Sequence, residues 1–171
     1  MAGIIGGRSN LTTEGVLDLY ASIVFVHAAT ILLFFIAHGT SMAVAFKLKR
    51  ETDPARVRAL LELSRFSLGA PAIVFVVIGL LSGIVAGFMG NWWGTLWIWI
   101  SLGLFVLVGG LMTPLATKRL QAIGAAAGSA DSAEDPDELR RLLAAWNPLP
   151  VAAMGVTTFL VILWLMYAKP F

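Results

Sequence analysis

The chain has 171 residues, of which 58% are hydrophobic and 13% charged, with net charge +2 and mean hydropathy +0.86. A soluble domain carries about 25% charged residues, so the composition excludes one and points to a single membrane domain with no room for a soluble catalytic domain. The complete lack of cysteine excludes disulfides, thiolate metal sites and cysteine-ligated haem.

Residues Met1 to Asp18 are polar, Gly-rich and acidic toward the end, without the basic-then-apolar order of a signal peptide, so cleavage is not expected. The first predicted span runs from about Tyr20 to Phe46. At ~1.5 Å per residue it is about 40 Å long against a hydrocarbon core of about 30 Å, so it must tilt or protrude. It holds both histidines of the chain, His27 and His38. Ionisable groups within a membrane helix are functional candidates by default. Eleven residues at ~100° each end about 20° past three turns, so both imidazoles share a face, about 16 Å apart along the axis. They cannot ligate one metal atom, whose bonds to nitrogen are ~2 Å long. They can serve two stacked sites, one in each leaflet, which is a geometry for transmembrane electron transfer. Met112 or Met154 could add a thioether, a donor that suits haem or Cu(I). A histidine from a partner chain would also complete a site. The competing reading is a packing role, in which each imidazole hydrogen-bonds a carbonyl or a hydroxyl such as Thr40, Ser41, Ser82 or Ser101.

The connector after span one carries Lys47, Lys49, Arg50, Arg56, Arg58 and Arg65. Within it, Asp53-Pro54 predicts an N-cap followed by proline in the first helical turn. Span two is predicted from Leu68 to Met89. Its Gly79, Gly83 and Gly87 form a repeated small-xxx-small pattern, read as helix packing in preference to clearance for a cofactor. Gly90-Asn91 predicts a tight turn. Trp92, Trp93, Trp97 and Trp99 follow as an interfacial aromatic belt. Span three is predicted from Trp93 to about Ala116, with Gly109-Gly110 and Pro114 expected to loosen its end.

The second connector repeats the pattern of the first: Asp53 to Leu61 (DPARVRALL) aligns with Asp135 to Leu143 (DPDELRRLL). Glu138 is placed to act as a capping-box carboxylate. Gln121 to Glu134, rich in Ala, Gly and Ser, reads as a flexible insertion. Span four is predicted from Leu149 to Tyr167. Ten of the twelve basic residues lie on the connector side, with Arg8 and Lys169 opposite, which predicts cytoplasmic connectors and both termini outside. The fold class expected is all-α: a polytopic membrane four-helix bundle, built as a tandem repeat of two helical hairpins with amphipathic cytoplasmic connectors. The connector helices are expected to lie in the lipid interface, with Leu60, Leu61, Leu142 and Leu143 beside arginines near anionic headgroups. Nucleic-acid binding has no support, because topology accounts for the basic residues. The predicted spans hold no Asp, Glu, Lys or Arg, which argues against a carboxylate-driven pump.

Four stretches carry a resemblance: FVHAATILLFFIAHG in span one, LLSG at Leu80 to Gly83, TPLATKRL at Thr113 to Leu120, and the terminal LWLMYAKPF. Together they resemble a bacterial family of predicted integral membrane proteins of unknown function, distantly similar to CopD copper-resistance proteins and to HemJ, a four-helix protoporphyrinogen oxidase. The resemblance implies an inner-membrane protein with periplasmic termini and makes His27 the residue expected to bind haem or metal. Where the relatives carry small glycines downstream of the first histidine, this chain sets His38 before Gly39. It also lacks the intramembrane lysine of HemJ-like proteins, which counts against porphyrinogen oxidation. The function expected is a haem-b- or copper-binding membrane protein in electron transfer or metal handling, with His27, His38, Met112 and Met154 as ligands. The alternatives are an accessory subunit of a respiratory or photosynthetic complex, with a homo-oligomer or larger assembly as its setting, and, on the repeat alone, a small-solute transporter.

Overall fold

A computed structural model describes residues 6–128 and 134–170, with only the helical backbone described for residues 6–13. Six helices and one 3₁₀ turn follow in order: α1 (Gly6–Leu48), α2 (Pro54–Leu68), α3 (Ala70–Met89), the turn Trp92–Gly94, α4 (Leu96–Ala126), α5 (Pro136–Ala145) and α6 (Leu149–Ala168). Four stretches are long and apolar enough to cross a membrane, and they contain α1, α3, α4 and α6. The all-α polytopic architecture follows. The described residues form no named strand; one isolated antiparallel bridge joins Ala127 to Glu134.

Local chemistry sets most boundaries. The Asp53 carboxylate caps α2 by accepting from the Ala55 N–H at 2.9 Å, and Asp135 caps α5 by accepting from Glu138 N–H at 3.0 Å. Glu138 does not complete a capping box. Its carboxylate takes two bonds from Arg141, at 2.6 and 2.7 Å, because a guanidinium one turn away offers a bidentate charged partner. Between α2 and α3 the chain breaks at Gly69, two residues before Pro71, whose ring cannot continue the helical ladder. Only glycine fits there, since an added Cβ would lie 2.7 Å from the Arg65 carbonyl oxygen. Gly90-Asn91 forms the expected turn, with Asn91 in the left-handed region at φ 55°.

The third transmembrane helix outruns its predicted end. α4 passes through Pro114 and continues to Ala126. Thr113 Oγ1 donates to the Gly109 carbonyl at 2.7 Å beside the proline, and prolines are tolerated in membrane helices where hydroxyls satisfy nearby backbone. Residues 121–126, expected to be flexible, are therefore helical, with Ile123 and Ala126 buried; residues 129–133 of that stretch lie outside the described residues.

α1 packs along α3, and α4 along α6. The tightest core, however, sits at the basic end. Val44 and Leu48 of α1, Val57 and Leu61 of α2, Ile123 and Ala126 of α4, and Leu139 and Leu143 of α5 bury one another there, closed by Ala127 and Trp146. Val57 and Leu61 of α2 and Leu139 and Leu143 of α5 are thus turned into protein, while Leu63 and Phe66 of α2 stay exposed. Four apolar strips meeting at one level offer each other better burial than an interface half-filled with headgroups. Trp146 Nε1 donates to the Ala45 carbonyl at 3.1 Å. Arg58 Nη1 donates to the Ala127 carbonyl at 2.5 Å and to Glu134 at 2.7 Å, tying α2 to the end of α4.

Candidate functional site

His27 projects from α1 onto the glycine series of α3. Its Nδ1 lies 2.7 Å from the Gly79 carbonyl oxygen. A carbonyl only accepts, so Nδ1 is the donor in this bond. Nε2 has no hydrogen-bond partner among the described residues. The same Gly79 carbonyl also accepts from Ser82 Oγ at 3.1 Å.

The glycines create the seat. A Cβ on Gly83 would stand 2.8 Å from His27 Cε1 and 2.9 Å from Nδ1. A Cβ on Gly79 would meet Ile31 Cδ1 at 2.9 Å, and one on Gly87 would meet the Trp93 indole at 3.1 Å. The series therefore packs side chains of other elements against α3, as its spacing suggested, and one of those side chains is the imidazole.

His38 is half-buried on the same stripe of α1 and stacks on Phe34, with ring centroids 5.8 Å apart and planes 27° apart. No hydrogen bond reaches its ring among the described residues. None of the candidate hydroxyls serves either histidine. Thr40 donates to the Ile36 carbonyl, Ser41 pairs with Ser64 at 2.6 Å, Ser82 turns to α3 carbonyls, and Ser101 donates to the Trp97 carbonyl.

Met112 is buried between α4 and α6, against Gly155. There it lies beside Met42 of α1, which the sequence reading passed over. Met154 is the residue before Gly155 and is half-buried. Met42 gave no local signal, because a methionine in an apolar run reads as filler. Its one available sign was a glycine on a facing helix. No group of three or more His, Asp or Glu side chains gathers among the described residues.

The opposite end carries the aromatic belt. Trp92 Nε1 donates to Tyr20 Oη at 3.3 Å, and Lys169 Nζ lies 4.1 Å from the Trp92 ring centroid. Trp93 packs at a tilt against Phe88 and Trp99, with ring planes 47° and 59° apart. The indole N–H groups of Trp93 and Trp97 are buried without a partner.

Two open grooves flank the helices. One, of about 210 Å³, is lined by Ser22, Ile23, Val26, Ser82 and Val85; the other, of about 220 Å³, by Leu115, Arg119, Trp146 and their neighbours. Neither is lined by a histidine.

No curated protein and no solved structure matches this chain. The likeness to CopD and HemJ proteins accordingly finds no support in the comparisons. Residues 21–170 match the family described as "Predicted integral membrane protein (DUF2269)", and with four membrane-length apolar stretches behind that match, the chain belongs to this family.

Proposed function

We propose that this protein handles a metal ion within the bacterial inner membrane, with His27 as one ligand and His38, joined by Met112 or Met154, at a separate site. The observation that carries this reading is that His27 Nδ1 is tied to the Gly79 carbonyl, as packing alone also allows, while Nε2 has no hydrogen-bond partner among the described residues. Metal-ligating histidines almost always donate their other ring nitrogen to a carbonyl or carboxylate, which fixes the tautomer and ring orientation. Copper is preferred to haem b here because thioether donors favour a soft metal ion and imidazole also suits copper. In this reading the connectors face the cytoplasm and the termini the periplasm, following the basic residues.

A second reading, an accessory subunit of a larger membrane complex, draws on the close fit of Gly79 and Gly83 around the imidazole. That fit serves helix packing with no metal required. Metal analysis and absorption spectroscopy of the protein purified in mild detergent from copper-supplemented cells separate the two. Copper retained by the wild type and reduced in His27→Ala supports metal handling. A Soret band that disappears in His27→Ala shifts the assignment to haem b. A colourless, metal-free preparation travelling with a larger assembly replaces it with the subunit reading.

A further inference from the structure

We propose that Met42, Met112 and His38 form a site for a monovalent soft cation, Cu(I), where α1 meets α4 and α6; it rests on the metal-handling reading above and adds Met42 as a ligand. Three helices converge on Gly155 of α6. An ideal Cβ on that glycine would lie 3.2 Å from Met112 Cε, 3.4 Å from Met112 Sδ and 3.8 Å from Met42 Cε. Two thioether side chains from different helices thus end on one residue that contributes no side chain of its own. His38 precedes Met42 by four residues in α1, so both project from one face, with Cβ atoms about 5–6 Å apart. The His38 ring stacks on Phe34 and meets no hydrogen-bond partner among the described residues, so the neutral ring has a nitrogen lone pair to offer.

The donor chemistry selects the ion. Thioether and imidazole are neutral, and soft ligands of this kind favour Cu(I). A buried charge in a low-dielectric interior is costly. The cost rises with the square of the charge, so a divalent ion needs carboxylate or thiolate compensation. The 18-residue apolar windows of the four spans hold at most two charged residues each, and no acidic cluster gathers among the described residues. A singly charged ion is therefore the one these ligands can hold. Methionine side chains have three rotatable bonds and can swing from packing to coordination at little cost.

The test is titration of the detergent-purified full chain with Ag(I), a redox-inert monovalent soft ion, followed by calorimetry and by NMR of ¹³C-labelled methionine methyls. Met42→Leu and Met112→Leu keep the side-chain volume and remove the sulfur, so their melting curves should stay close to that of the wild type. The expected result is one bound ion, displaced methyl signals for Met42 and Met112 with Met89 and Met166 unmoved, and ~10–100-fold weaker binding in each leucine variant, the scale at which weakened ligation shows in metal affinity. Unmoved Met42 and Met112 methyls in the wild type overturn this site even if a variant misfolds. Binding that survives both leucine substitutions but is lost in His27→Ala overturns this site and leaves the metal-handling reading standing. Absence of any Ag(I) or Cu(I) binding overturns both.

Discussion

Gly83 gives its side-chain space to an imidazole, and the fit leaves no slack. Gly83→Ala would force the His27 ring aside and should lower stability by about 1–3 kcal/mol, the usual range for an overpacked contact. His27→Ala removes a hydrogen bond worth about 1 kcal/mol between membrane helices. It also frees the volume that Gly83→Ala needs. The double variant should consequently be more stable than the two single losses add up to, and thermal melts of all four proteins in one detergent check the coupling. Residue-level chemistry was partly legible in advance. The histidines stood out because imidazole is conspicuous among Leu, Val and Phe. The bond partner of His27 did not, because a backbone carbonyl 52 positions away leaves no trace in side-chain identity.

The elements were legible wherever a local residue decides them. Asp-Pro pairs start α2 and α5, and Gly90-Asn91 turns the chain. The end of α4 was not legible, because Ile123 and Ala126 are held in a helix by partners on α1, α2 and α5 that only the folded chain supplies. The two connector helices also use matching positions: Val57 and Leu139, then Leu61 and Leu143, are buried at the same distance from their capping aspartates. Leu139→Ala should destabilise the basic end by about 2–5 kcal/mol, seen as a lower melting temperature. The surface of α5 responds to pH instead. Hydrogen bonding to Arg141 holds the Glu138 carboxyl below the ordinary carboxylate range. The pair is therefore intact at neutral pH, and its support is lost as pH falls through that lowered value. Amide protection factors in α5, corrected for the intrinsic pH dependence of exchange, should fall in acid in the wild type, and Glu138→Gln should remove that portion of the change.

At the scale of the whole molecule, the apolar flanks of the spans face outward: Phe25, Leu32, Ile36, Ile73, Leu81, Val106 and Leu160 are each more than half exposed. Lipid is the surrounding such surfaces require. The chain contains no native cysteine, so single cysteines report topology against a clean background. Cysteine at Lys49 should resist a membrane-impermeant thiol reagent applied to intact spheroplasts, and cysteine at Lys169 should react; the reverse pattern would invert the assigned orientation.

The seal over the basic end draws on distant parts of the chain. Trp146, beyond α5, covers Val44 and Leu48 and reaches back to the Ala45 carbonyl, 101 positions earlier. Until Trp146 is in place, Val44 and Leu48 have Val57 and Leu61 of α2 beside them but no cover from the far end of the chain. A chain cut before Trp146 should therefore keep its first helices and lose the closure of the basic end.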